Sequence, residues 1–404
     1  MDSFTHLVAG ALTPLAFRHC PKRAALVGFG IAAGELPDID VIFGASPEAF
    51  MLLHRGITHA LFWQPVMALL VVVPVYIWLC ARKAPAPGVC PLKAWQSSAA
   101  LPGQNAVALM PQSIFGALDA HGNPSFIRLW LMALLALVLH IYLDCMTTFG
   151  TQVLLPFSSQ RVGLPAMFIV DFLLTLPALT LLLLALRQQP DSALLCGATR
   201  VKIALYAPKA RRFAQAGLAW IILYPLVSLG INAATTAALS PTLAKEAGHN
   251  PAVSHVILLT EPFSPFVWKA VVDDGNTWSM TVFASGSKSP RRFYEYTKPD
   301  PALYAALKRQ EALFVHFENF APLMTQSKRK ANYVTQTGHT QPITEYAFAD
   351  LRYTAMPESF ATKLGRGDTM FVLEARVNAS GALLAYRFLK RAAQADSTPW
   401  ISAQ

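Results

Sequence analysis

Charge is scarce in this chain. Only 14% of the residues are Asp, Glu, Lys or Arg, where a soluble domain carries about a quarter. That excludes a water-soluble globule along the whole length. The shortage is uneven: residues 241–404 have ordinary charge and no long apolar run, whereas residues 1–240 hold almost all such runs. A helical membrane domain at 1–240 and a soluble domain at 241–404 follow. Cysteine is also scarce. There are 5, Cys20, Cys80, Cys90, Cys145 and Cys196, without a CxxC pair or zinc-ribbon spacing. An odd, patternless set argues against a disulfide framework. The first apolar segment lacks a basic leader and is followed by charge, so it does not read as a cleaved signal peptide. The net charge of +10 is no sign of nucleic acid, and no such partner is expected. Most basic residues of the N-terminal half flank apolar runs, where membrane topology accounts for them.

What is present are apolar runs of membrane length. Ala60 to Cys80 and Phe213 to Leu239 carry no charge, Phe168 to Leu186 carries only Asp171, and Phe126 to Met146 is apolar apart from Arg128, His140 and Asp144. Each approaches or exceeds the roughly 20 residues needed to cross about 30 Å of hydrocarbon. Phe4 to Phe17 and Ala24 to Phe43 read as a short helical hairpin, spanning or re-entrant. The expected fold is therefore a polytopic α-helical membrane domain of about six membrane segments, followed by a small α+β extracytoplasmic domain. Lys and Arg set its orientation. The stretches 18–23, 81–128 and 187–212 hold 13 of them, and the opposite side up to residue 240 holds two, Arg55 and Arg161. The positive-inside rule then turns the N-terminus, the 38–59 and 145–167 loops and the C-terminal domain outward. In a bacterium that is the periplasm. In the aqueous part, β-branched and aromatic runs predict strands at 255–260, 267–273, 277–284, 370–377 and 382–389. Helical spacing predicts a helix over 301–324.

The few ionisable groups of the membrane half fall at one level. His6, Asp38, Asp40, His54, His59, His140, Asp144 and Asp171 all lie toward the outer ends of their segments, although orientation was read from Lys and Arg alone. Asp171 reads more simply as a helix start, where an acid is favoured. His140 and Asp144 are four apart, hence on one helical face. Asp38 and Asp40 follow Pro37, and Gly56 suggests a turn that reunites His54 with His59. An Asp at bilayer depth costs about 2.5–3.5 kcal/mol, and clustered carboxylates repel. A divalent cation offsets both, and His with Asp but no Cys suits Zn²⁺, Mn²⁺ or Fe²⁺. One or two ions are expected, with His6, Asp40, His54, His59, His140 and Asp144 as ligands. Arg55 is the expected clamp for a substrate oxyanion and Asp38 the candidate acid. His19, His121, His249, His255, His316 and His339 receive no role.

These residues also carry a resemblance. Met1-Asp2-Ser3-Phe4-Thr5-His6, Pro37-Asp38-Ile39-Asp40, His54-Arg55-Gly56-Ile57-Thr58-His59 and His140-Ile141-Tyr142-Leu143-Asp144 resemble the predicted membrane-bound metal-dependent hydrolases, also labelled LexA-binding, inner-membrane-associated hydrolases. The likeness covers residues 1 to about 240. The C-terminal part looks like the extra domain of longer members, entered at Pro262–Trp268. The resemblance implies a bacterial inner-membrane protein with metal-dependent hydrolytic activity. The His-x-x-x-Asp element also looks like one in the zinc-dependent phospholipase C and nuclease group. No convincing second His-x-x-x-Glu follows it here, which speaks against a three-zinc site, and nothing in these residues supports a DNA-damage link. The expected function is hydrolysis of a phosphate ester or other ester in a lipid or envelope molecule, with membrane lipid as the partner. The alternatives are a metal-handling or transport protein, which would continue His or acidic residues to the cytoplasmic end, and a non-catalytic envelope scaffold.

Overall fold

The structure, a computed structural model, describes residues 1–17, 23–44, 46–81, 125–188, 208–287, 291–334, 340–357 and 368–403, with Ser359 and Thr362. The expected hairpin tip at 18–22 and most of the basic loops at 81–128 and 187–212 lie outside the described residues.

Helix α1 (Ser3–Leu15) begins at Asp2, whose carboxylate accepts the Thr5 N–H, a standard way to satisfy a free helix donor. Helix α2 (Arg23–Glu35) runs back along it. Glycine makes that approach possible. A Cβ at Gly30 would lie 2.2 Å from the Gly10 carbonyl oxygen, and one at Gly10 would lie 2.4 Å from the Gly30 oxygen. Small residues that let two backbones touch are the usual device between membrane helices. A 3-10 turn (Leu36–Ile42) and a short helix α3 (Pro47–Leu53) follow, then α4 (Gln64–Ala81), α5 (Phe126–Cys145), α6 (Phe172–Arg187) and α7 (Pro208–Glu246).

Among the described residues, three helices are long and apolar enough to cross a membrane: Leu61–Cys80, Phe126–Cys145 and Lys209–Glu246. This corrects the expectation of about six segments. Helices α1 and α2 have 13 residues each, roughly 20 Å at 1.5 Å per residue and short of the hydrocarbon thickness. Helix α6 has 16. It starts four residues into the Phe168–Leu186 run, at the helix start read for Asp171, whose carboxylate accepts the N–H groups of Leu173 and Leu174. Two apolar cores hold the helices together. Leu12, Leu143, Leu174 and Ile221 belong to one shared by α1, α5, α6 and α7. Leu26, Val72 and Leu137 belong to one shared by α2, α4 and α5.

Helix α7 runs on to Glu246, where Leu243 and Ala244 pack with Trp268 and Phe283 of the C-terminal domain. That domain has two antiparallel sheets. The first orders β1 (His255–Thr260), β2 (Val267–Asp273), β3 (Thr277–Ala284) and β4 (Tyr294–Thr297). The second orders β5 (Met324–Val334), β6 (Thr340–Asp350), β7 (Met370–Asn378), β8 (Leu383–Arg391) and β9 (Ile401–Ser402). The single helix expected at 301–324 is two, α8 (Pro301–Gln310) and α9 (Ala312–Phe320). Asp300 caps the first and Glu311 caps the second.

The C-terminal domain sits on the loops that surround the Asp and His residues. Met51 and Phe149 share one apolar cluster with Phe317, Phe320 and Phe371. The Arg352 guanidinium donates to the carbonyl oxygens of Thr148 and Phe320, and Lys390 Nζ lies 4.0 Å from the Phe50 ring centre.

Candidate metal centre

Four donors converge at the ends of these helices. His140 and Asp144 come from one face of α5, Asp38 from the 3-10 turn after α2, and His59 from a second 3-10 turn, Ile57–His59. The His59 and His140 Nε2 atoms are 3.2 Å apart. His59 Nε2 is 3.3 Å from both Asp38 Oδ1 and Asp144 Oδ2, and His140 Nε2 is 3.6 Å and 3.4 Å from the same two oxygens. A tetrahedral Zn²⁺ shell with bonds of about 2.0–2.1 Å has donor–donor edges of roughly 3.3–3.4 Å. Five of its six edges therefore have a counterpart here, all built from the same four atoms.

The outer nitrogens fix how the rings point. His140 Nδ1 is 2.6 Å from the Gly34 carbonyl oxygen, an acceptor that requires the hydrogen on Nδ1. His59 Nδ1 is 3.3 Å from Asp40 Oδ2 and 3.0 Å from the Thr58 hydroxyl. With hydrogens placed on the outer nitrogens, both Nε2 lone pairs face each other and two carboxylate oxygens. This is the carboxylate- or carbonyl-held histidine arrangement of metal sites. Asp144 is held in the same manner. Its Oδ1 meets Arg55 Nη2 at 2.9 Å, His6 Nε2 at 3.2 Å and the Met1 amino group. Its Oδ2, aimed at the two histidines, is buried without a hydrogen-bond partner. An orphaned buried carboxylate oxygen fits a cation. The Asp/His group can therefore hold a metal ion.

A second group adjoins it. Asp38, Asp40 and His54 also bring one donor each within 4.8 Å of one another, so Asp38 belongs to both groups. Asp40 organises this side. It lies 3.0 Å from His54 Nδ1 and accepts the Arg55 N–H at 2.9 Å and the Thr58 hydroxyl at 3.0 Å. Burial works against its charge, but the hydrogen bonds from His54 and His59 prevail and hold its carboxyl below the usual range. The turn that joins His54 to His59 is made by Arg55, at φ +58°, a left-handed conformation uncommon outside glycine. Gly56 follows it; a Cβ there would lie 2.8 Å from the Leu53 oxygen.

The other predicted residues stand beside the donors. His6 stacks on His140, ring centres 3.6 Å apart, and falls in neither donor group. Asp38, expected as an acid, is a donor in both. Arg55, expected as an oxyanion clamp, is 3% exposed and is spent on Asp144 and on the Thr147 hydroxyl at 3.1 Å. Asp171 caps α6 and accepts the Tyr224 hydroxyl at 3.0 Å. The sequence reading missed Gly34, whose contribution is a carbonyl. It also missed the positioning roles of Thr58, Thr147 and Arg161. Arg161 donates to the carbonyl oxygens of Met51 at 2.9 Å and of His54 and Gly150 at 3.3 Å. Only Asp38 and His54 give the cluster an opening, with side chains 16% and 14% exposed.

Apolar helices of membrane length with a buried Asp/His set at one end define a membrane protein with a metal-type site. More narrowly, the chain belongs to the YdjM inner membrane protein family, whose model matches residues 1–236. It is also similar to the uncharacterized protein YfhP of Bacillus subtilis (strain 168), with 27% identity over 176 residues, 41% of this chain and 40% of that protein. The chain thus spans less than half the length of that curated relative. No solved structure matches it. The family description carries the inner-membrane location and names no reaction.

Proposed function

We propose that this protein is a metal-dependent hydrolase of the inner membrane that cleaves a phosphate ester or another ester in a lipid or envelope molecule. The observation that carries the reading is the four-donor set of Asp38, His59, His140 and Asp144, with its Nε2 lone pairs and an unpartnered carboxylate oxygen turned to one point. Zn²⁺ suits two imidazoles and two carboxylates at this spacing, and Mn²⁺ or Fe²⁺ suits the same donor types. A second ion fits Asp38, Asp40 and His54, with Asp38 shared. When bound, such an ion supplies Lewis acidity toward an ester oxygen and acidifies water. The chain's own groups prepare the place for it. Asp40 and the Gly34 carbonyl orient the rings, and Arg55 balances the charge of Asp144.

The substrate class follows from what frames the opening. Ile42, Phe43, Ile57 and Phe157 are exposed, Phe157 by 79%, around the turn that bears Asp38 and beside the start of the Leu61–Cys80 span. An apolar rim at the membrane surface favours an amphiphilic substrate. The 13-to-2 asymmetry of basic residues supports an outward-facing centre and a periplasmic C-terminal domain. A transit role for the metal is less well supported, because α4 and residues 126–139 contain no His, Asp or Glu.

Elemental analysis of the purified chain tests the reading. One or two equivalents of Zn, Mn or Fe are expected in the wild type. His140→Ala and Asp144→Ala should lose them while keeping the same helical circular dichroism, and should lose hydrolysis of phosphate monoesters and diesters in detergent. A metal-free wild type that folds like its variants would remove the hypothesis.

A further inference from the structure

A cleft of about 400 Å³ opens between the 148–163 segment and the C-terminal domain. Thr148, Ser159, Gln160 and Arg161 line one wall, Asn319 and Arg352 the other, and among the described residues no Asp or Glu lines it. Its volume lies in the range of small-molecule sites. The two guanidiniums differ. Arg352 is paired with Asp350 at 2.7 Å, so its charge is balanced. The Arg161 hydrogen bonds end on carbonyl oxygens, and among the described residues no carboxylate lies within ion-pair distance of it. Its guanidinium stacks near Phe149 and Phe320, 5.7 Å and 5.6 Å from the ring centres. Burial, with Arg55 and Arg352 nearby, lowers its pKa to about 10, so it stays charged at neutral pH. A partly buried cation without an anion carries an uncompensated desolvation cost. Around it stand hydroxyl and amide donors.

We propose that this cleft is an oxyanion subsite, holding a phosphate group that is either free or carried on a lipid headgroup. The Arg161 charge, whose Nε lies outside the carbonyl hydrogen bonds made by its two Nη groups, together with the hydroxyl and amide groups around it, is the chemistry that recognises phosphate oxygens. The space exceeds one phosphate and leaves room for a small headgroup. The site is tied to the candidate centre, since Arg161 holds the His54 carbonyl and Thr148 follows Thr147, the partner of Arg55. The inference deepens the hydrolase reading by giving its substrate an anionic group. It rests on that reading only for the claim that the bound group belongs to the substrate.

The test uses the double variant Gln160→Glu, Asn319→Asp. Both residues are exposed, and neither side chain makes a hydrogen bond among the described residues, so the change adds negative charge to the cleft at constant shape. Arg161 itself is left alone because it holds three loop carbonyls. The full chain in phosphatidylcholine nanodiscs, with EDTA present so that no metal can hold the anion, is dialysed against radiolabelled inorganic phosphate at fixed ionic strength. A parallel arm uses native mass spectrometry to count phosphatidylglycerol retained over phosphatidylcholine from mixed nanodiscs. Saturable phosphate binding weakened about tenfold or more in the variant, as like charge in a binding site predicts, supports a site for the free anion. Selective phosphatidylglycerol retention that the variant loses supports a headgroup site. Wild type that binds neither probe, or a variant that binds as well as wild type, overturns the proposal. Metal content, measured separately after Zn²⁺ loading, should be the same in the variant, which keeps this outcome apart from that of the hydrolase reading.

Discussion

His59 meets two demands at once, and its two nitrogens divide them. Nδ1 is held by Asp40 and the Thr58 hydroxyl, while Nε2 faces His140, Asp38 and Asp144. Burial works against a charge on this ring, but Asp144, Asp38 and Asp40 outweigh it and raise its pKa from 6.5 to about 10. Without metal, then, a proton occupies the place among the donors that a cation would take. The sign follows from the raised value. The proton's contribution to stability is complete below pH 6.5 and is lost as pH rises through about 10. Metal must displace that proton, so affinity should rise by about tenfold per pH unit across the same window. Competition between the purified chain and a chelator for Zn²⁺ at three pH values within it measures the slope. A flat profile would show that no proton is exchanged there. The metal-free protein should lose thermal stability over this range, whereas the loaded protein, in which His59 carries no such proton, should change little.

At the scale of elements, the meeting of α1 with α2 decides whether His140 finds its partner. The Gly34 carbonyl that His140 meets lies on α2, which packs on α1 where Gly10 and Gly30 let the two backbones touch. Gly30→Ala places a methyl 2.2 Å from the Gly10 oxygen, and the helices must separate. Overpacking of this kind costs about 1–3 kcal/mol. A lower thermal midpoint in detergent is expected, with weaker metal retention, whereas Gly28→Ala, which meets nothing within 4 Å, should change neither. An equal response of the two variants would show that the crossing is not what holds the carbonyl. This contact was hidden in the sequence because a carbonyl belongs to every residue type. The donors were legible for the opposite reason: Asp and His are costly in apolar segments, so the Pro37–Asp40 turn, the His54–His59 loop and the His140–Asp144 pair stood out. Strands β1, β2, β3, β7 and β8 were legible from β-branched and aromatic runs. The β5–β6 hairpin was not, because β5 reads as polar and basic. Cross-strand charge supports it instead. Arg329 and Arg376 lie opposite Glu345 on either side, at 2.6 Å and 2.8 Å, a pairing that stabilises a sheet without apolar alternation. The short helices read as spans because apolar composition alone does not show where a helix begins or ends, although Asp171 did mark the start of α6.

For the whole molecule, one arrangement joins the centre, the cleft and the C-terminal domain. Phe149 touches Arg55 on the membrane side, 4.8 Å from its guanidinium carbon, and Phe320 and Phe371 on the other. The donors and the C-terminal sheets therefore share one end of the helices. The basic residues at 18–23, 81–128 and 187–212 belong by sequence to the other end of the same segments. If lipid separates the two ends and the basic stretches face the cytoplasm, both the 158–160 loop and the C-terminal domain are reached from outside the cell membrane. In a background with the natural cysteines replaced, Ser159→Cys and Ser380→Cys should both react with a membrane-impermeant maleimide in cells whose outer membrane has been made permeable. A cysteine in place of Ser97, within the basic 81–128 stretch, should react only after lysis. Labelling of Ser159→Cys and Ser380→Cys from opposite sides would break the contacts between Phe149 and the C-terminal domain. Labelling of both only after lysis would keep the centre intact and turn it toward the cytoplasm, where a different pool of esters meets the same four donors.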